Sequence, residues 1–334
     1  MTPLTQITAS AARPIPWHHL SWAVWRRHRT ALMSALTALA LVAIYLIAEG
    51  LQLRSEYDHY LDCSPAGTQN CQQLWDAFRR DHGESGLLGP ALLFLPPFVG
   101  ILTGASILGR ELETGTFRYA WTQGIGRMRW AIAMLVSGAL GVIIIMAVFG
   151  LLMLWHNQPL TDSGASSVLA PLVFPMTGLA PAGWALLCFA LAALAGLVFA
   201  RVVPAIVVSL AAWFGLAYLA SNSLRPIYQQ TATGNVDDLS QVGHLIDVTW
   251  LVDGVRASDA QVSTILQAID AQIHQFGRGV DIARFLVEHG YEQVATYYPA
   301  SQFWNMQLIE TSWLTVAAFA LLGATLWLVK RHPQ

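Results

Sequence analysis

Six apolar runs of about twenty residues each leave this chain little choice of fold. They cover residues 31–50, 87–109, 130–155, 180–200, 203–221 and 308–329. A helix rises about 1.5 Å per residue, so each run matches the ~30 Å hydrocarbon core of a bilayer. Lipid offers the backbone no hydrogen-bond partner, so a segment of this length crosses as a helix that satisfies its own amides. Composition agrees. Charged residues make up 11% of the 334, against roughly 25% in soluble domains. Mean hydropathy is +0.48. The fold expected is all-α, a polytopic membrane protein with six transmembrane helices. Pro96-Pro97 should kink or break the second, because proline removes a helical hydrogen bond. The stretch 168–179 is apolar but short, and Pro171 and Pro175 interrupt it. It reads as a re-entrant or interfacial piece.

The cations set the orientation. With the N-terminus inside, the short cytoplasmic segments hold Arg13, Arg26, Arg27, Arg29, Arg110, Arg118, Arg127, Arg129, Arg201, Lys330 and Arg331. The longer outer segments are poorer in cations, and six spans return the C-terminus to the cytoplasm. Residues 1–30 read as a cytoplasmic interfacial helix, with Trp17, Leu20, Trp22 and Trp25 beside the three arginines. A basic flank that merely orients the first span is the alternative. Spans one to five fill 31–222, with an extracytoplasmic loop at 51–86 and a cytoplasmic loop at 110–129. Residues 308–334 give the last span and a cytoplasmic tail.

The outer loop carries Cys63 and Cys71 around a Pro/Gly turn. Outside the membrane the redox setting permits a bridge between them, and a disulfide is expected. Two free thiols or a metal pair is the alternative, and no nearby His or Cys cluster supports a metal. Cys188 reads as a small core residue of the fourth span. Residues 223–307 read as a small helical extracytoplasmic cap. Within it "SDAQVSTILQAIDAQIHQFG" has an N-cap candidate at Ser258 or Asp259 and apolar residues at helical spacing, and "VDIARFLVEHG" repeats the pattern. "TATGNVDDLSQVG" reads as a loop leading in.

No enzyme signature emerges. The ten histidines show no HExxH or other ligand spacing, and no GxSxG elbow is present. The only lysine, Lys330, lies in "LVKRHPQ", so the chain has no Walker A motif and is expected to hydrolyse no ATP itself. A net charge of −2 gives no bias toward nucleic acid. The span centres carry no charge, which argues against ion coupling. The segment "GRELETGTFRYAWTQGIGRMRW", residues 109–130, stands out: its Glu111 and Glu113 are the only acids this topology puts in the cytoplasm. Acids do little to orient a span, so these two point to a partner.

That segment resembles the loop between the second and third spans of type-2 ATP-binding-cassette (ABC) exporter permeases. The resemblance is to the branch common in high-GC Gram-positive bacteria. It rests on Glu111, Glu113, Thr114, Gly115, Thr116, Trp121, Thr122, Gln123, Arg127, Arg129 and Trp130. "ARVVPAIVVSL", with Arg201 and Pro204, resembles the family's inner turn between spans four and five. "YYPASQFWNMQLIE", with Pro299, Ala300, Phe303, Trp304, Gln307 and Glu310, resembles the lead into the last span. Met134 and Gln302 depart from the lysine and arginine the family often carries. The resemblance implies a coupling helix at 110–129 that docks on a separate ATPase subunit, which binds ATP and Mg; this chain carries no cofactor. Glu111, Glu113, Thr114, Gly115, Thr116, Arg118 and Thr122 are the implied ATPase-coupling residues. Gly115-Thr116 would let the chain turn or cap a helix start. Arg127, Arg129 and Trp130 are the membrane anchor. The implied partners are two ATPase copies, a second permease subunit (identical or related) and membrane lipid, in a bacterial plasma membrane. The implied function is export of an amphipathic or hydrophobic drug, peptide or lipid by alternating access. A membrane sensor or scaffold whose outer region binds a ligand is the alternative.

Overall fold

The computed structural model describes residues 17–63, 88–115, 127–235, 242–276 and 289–331, with scattered positions between 71 and 80. Its described helices are α1 (Trp17–Leu61), α2 (Leu88–Leu93), α3 (Leu95–Thr114), α4 (Arg127–Asp162), α5 (Ala180–Phe199), α6 (Val202–Leu219), α7 (Arg225–Tyr228), α8 (Asp259–Phe276) and α9 (Phe303–Arg331). The described strands are β1 (Ala232–Asn235), β2 (Val242–Val252), β3 (Val255–Arg256) and β4 (Tyr291–Pro299).

Helix α5 is the axis of the bundle. Seven of its twenty residues are alanine and two are glycine, and sixteen are buried. Small side chains let α3, α4, α6 and α9 approach it closely on all sides. The tightest seam is with α3. There a Cβ on Gly100 would lie 2.2 Å from the Ala185 carbonyl oxygen, and one on Gly104 would lie 2.2 Å from that of Phe189. Further along, Gly109 faces Gly196. The spacing Gly100-x-x-x-Gly104 puts both glycines on one helix face, so backbone meets backbone with no side chain between.

Among the described residues, five stretches are long and apolar enough to cross a membrane: Pro90–Thr114, Arg127–Asp162, Ala180–Phe199, Val202–Tyr228 and Ala300–Arg331. They match the second to sixth expected spans, and the chain is a multi-pass helical protein. The first expected span, 31–50, lies within α1, which is helical without a break from Trp17 to Leu61. The part of the expected interfacial helix from Trp17 onward therefore runs straight into it. At about 1.5 Å per residue α1 is roughly twice as long as a hydrocarbon core is thick. The prolines of the second span break it: α2 stops at Leu93, and α3 starts afresh with proline in its first turn. Proline fits there because the first-turn amides have no helical acceptor.

The expectation of an all-α chain with a helical cap is corrected. Between α7 and α9 stands a four-stranded antiparallel sheet, ordered β1-β4-β2-β3, with α8 inserted between β3 and β4. Strand β2 pairs with β4 from Val242↔Pro299 to Val252↔Tyr291, with two register shifts. The hairpin to β3 turns at Asp253 and Gly254, both at positive φ, the Asp-Gly signature of a tight two-residue turn. Part of the expected lead-in loop is β1. Helix α8 forms where its periodicity put it. Ser258 and Gln261 cap it reciprocally: the Gln261 Oε1 accepts from the Ser258 amide at 2.9 Å, and the Ser258 Oγ accepts from the Gln261 amide at 3.4 Å. The second expected cap helix, 280–290, falls almost wholly outside the described residues.

Candidate functional site

Two polar clusters lie at opposite ends of the bundle. The first is where α3 ends and α6 begins. Helix α3 runs on past the apolar part of its span to Thr114, and Gly115 stops it in the left-handed conformation, φ 70°. Gly115 thus ends a helix and turns the chain, one of the two roles expected of Gly115-Thr116, and Thr116 lies outside the described residues. Glycine suits the position because a Cβ is disfavoured there. Thr114 bonds back to the Arg110 carbonyl at 2.8 Å. The two acids on this last turn face different ways. Glu111 is buried at 3% exposure, whereas Glu113 is exposed. The Glu113 Oε2 accepts a hydrogen bond from the Val202 amide at 3.2 Å. That amide opens α6 and has no helical acceptor of its own, so the carboxylate also meets the positive end of the helix dipole. The α3 terminus is thereby tied to the tight turn at Ala200 (φ 50°) and Arg201 that joins α5 to α6. Arg127, Arg129 and Trp130 occupy the first turn of α4, all half-buried. Thr116, Arg118, Trp121, Thr122 and Gln123 lie outside the described residues.

The second cluster is at the sheet end, and sequence reasoning gave it no role. Its centre is Glu310 of α9, with 0% exposure. The carboxylate accepts four hydrogen bonds: from Trp184 Nε1 and Arg225 Nη2 at 2.8 Å on one oxygen, and from Arg225 Nε at 2.9 Å and the Tyr228 hydroxyl at 2.8 Å on the other. A carboxylate offers about four lone-pair sites, so Glu310 is saturated. The fork of Arg225, 7% exposed, fits it bidentately and also lies 5.0 Å from the Phe174 ring. One turn earlier, Gln307 is also at 0% exposure. Its Oε1 accepts from the Leu179 and Ala180 amides at 2.9 and 2.8 Å, and its Nε2 donates to the Phe174 carbonyl at 3.2 Å. Gln307 therefore caps α5 from a different helix and pins the irregular piece 168–179 against α9. Gly178, at φ 67°, makes the turn this requires. A second clamp joins Gln230 and Gln302: the Gln302 Oε1 accepts from the Gln230 amide at 3.1 Å, and its Nε2 donates to the Gln230 carbonyl at 2.8 Å.

Cys63 and Cys71 form a disulfide, with Cα atoms 5.7 Å apart. It anchors a segment whose Phe78 packs with Leu53 and Leu160. Nearby, Arg54 stacks 3.8 Å from the Trp155 ring centroid and donates to the carbonyls of Gly50 and Trp155. Cys188 is a buried free thiol in the core of α5. Among the described residues no group of His, Cys, Asp and Glu could hold a metal ion.

A family model described as ABC-2 membrane transporter related matches residues 36–225. The chain belongs to this family. No curated protein and no solved structure matches it. Membership makes this ABC-2 protein a permease component in the context of an ABC transporter, where an ATPase is the general partner. The matched region contains the Glu113–Val202 junction and ends at Arg225. The partners of Arg225 and Tyr228 on α9 come from beyond it. Gln307 and Glu310 lie in the stretch 297–310 quoted above, outside the matched region. Only packing reveals what they hold.

Proposed function

We infer that this ABC-2 protein is the membrane-spanning subunit of a bacterial ABC exporter of the high-GC Gram-positive type. It moves an amphipathic or hydrophobic drug, peptide or lipid outward by alternating access. A separate ATPase subunit binds ATP and Mg and drives the cycle; the chain hydrolyses nothing itself. Two ATPase copies and two permease subunits, identical or related, make up the machine in the plasma membrane. Both termini lie in the cytoplasm, and the sheet and disulfide lie outside. The observation that carries the reading is the family match together with the junction at Glu113. A loop tied at once to α3, to the α5–α6 turn and to the head of α4 would pass a push on 115–126 to several spans as one body. Exposed Glu113 is the better placed of the two acids to meet a basic partner surface, and Arg127, Arg129 and Trp130 suit the headgroup level.

Co-expression with the neighbouring cistron tests this. The permease in detergent should retain a nucleotide-binding subunit through affinity purification, and ATP should drive transport in vesicles. Recovery of the permease without any nucleotide-binding subunit would sink the reading. It would favour instead a sensor or scaffold, for which the folded sheet unit would supply a ligand-binding surface.

A further inference from the structure

Helix α6 does not end as an α-helix. Residues Ala220–Leu224 form five residues of π-helix, and α7 follows directly with Arg225 as its first residue. A π turn holds an extra residue, is rare, and is frequent at functional sites. Here it decides the direction in which Arg225 points. Converting the stretch to α geometry with every residue kept would turn Arg225 about the helix axis by about 100°, one residue's rotation.

What Arg225 points at is all-or-none. A buried ion pair contributes little net stability beside a well-packed apolar cluster, but breaking one partner away leaves an uncompensated charge. Glu310 is therefore either fully bonded or exposed to water, and intermediate states are costly. The pair also sits at the root of the sheet unit. Arg225 and Tyr228 immediately precede β1, while Gln302 and Glu310 follow β4. Strands β1 to β4 are joined to the bundle through this root, which is held by the Gln230–Gln302 clamp and the Glu310 cluster.

We propose that Arg225, Tyr228 and Glu310 form a latch, opened by a π-to-α register change at 220–224, that frees the root of the sheet unit from α9. Closed, it locks α5, α7 and α9 together through Trp184, Arg225, Tyr228 and Glu310. Open, α7 turns, Glu310 is hydrated, and the sheet end of the bundle parts. The latch is a property of this chain; only its trigger, ATP binding by the partner, rests on the exporter reading.

Spin labels on Ile227→Cys and Leu308→Cys report the opening, since both positions are exposed, at 79% and 55%, in α7 and α9. The full chain is held in phosphatidylglycerol–phosphatidylethanolamine nanodiscs. The labelled but otherwise unchanged chain should show one short distance. E310Q should add a second, longer distance, and Tyr228→Phe, which removes one of the four bonds, a smaller fraction of the same one. Deleting Ser221 should act oppositely. With the extra residue gone, α geometry leads to Arg225 in its present direction, so only the short distance remains. If neither E310Q nor Tyr228→Phe moves the distribution, the latch is overturned. With the partner ATPase, ATP and vanadate, the parent chain should shift to the longer distance and the Ser221 deletion should not. If E310Q opens the latch but ATP moves nothing, the ATP-driven reading fails and the latch stands.

Discussion

At the scale of single residues, Glu113 carries two assignments that substitution separates. It caps the α6 amide through an oxygen, and its charge is available to a partner. Glu113→Gln keeps an acceptor and removes the charge; Glu113→Ala removes both. The alanine variant should lose about 1 kcal/mol, the usual cost of an emptied cap, and the glutamine variant only the smaller share owed to the helix dipole. Both should lower ATP-driven turnover several-fold without reducing membrane insertion. Thermal melts and vesicle transport read the two effects, and full turnover in Glu113→Gln would end the charge-pairing role. Glu113 stood out in the sequence because an acid between two apolar runs, in a loop the expected topology puts in the cytoplasm, is anomalous on its own. Glu310 was not legible in the same way. It lies in the segment that leads into the last apolar run, and its partners Trp184 and Arg225 are 126 and 85 positions away. A bond across that separation leaves no periodicity to read.

At the scale of elements, the α3–α5 seam should be the least tolerant of added volume. Gly104→Ala puts a Cβ against the backbone oxygen of Phe189, which no rotamer change relieves. Overpacking of this kind costs about 1–3 kcal/mol. Gly141 in α4 meets nothing within 4 Å, so Gly141→Ala should be neutral or stabilising, by up to about 1 kcal/mol from helix propensity. Melting temperatures of the two variants in one detergent would check the contrast, and equal temperatures would refute the seam. Helices were well read from sequence because each apolar run is itself the signal. The strands were missed although Asp253-Gly254 and the β-branched and aromatic run of β4 were available. Apart from the short hairpin to β3, strand β2 pairs with β4, 39 residues or more downstream across the whole of α8, and a single segment does not announce that pairing.

At the scale of the whole molecule, the disulfide tests the topology and the packing together. In intact cells, a membrane-impermeant thiol reagent should leave Cys63 and Cys71 unlabelled until an impermeant reductant is added, and should then label both. Labelling without reductant would rule the bridge out; labelling only after lysis would invert the orientation. Replacing both cysteines by serine should loosen the Phe78 contact by about 2–3 kcal/mol, the entropy of freeing a loop of this size, read as faster proteolysis between 63 and 80. The number and length of apolar runs determined on their own that this chain is a multi-pass helical membrane protein, because lipid leaves a long apolar backbone one way to satisfy its amides. Which helix became the axis, how α3 locks onto α6, and that Arg225 and Glu310 meet were decided only by the tertiary structure. Those outcomes depend on which small residues let backbones touch and which buried charges find each other, and both are properties of pairs distant in the chain.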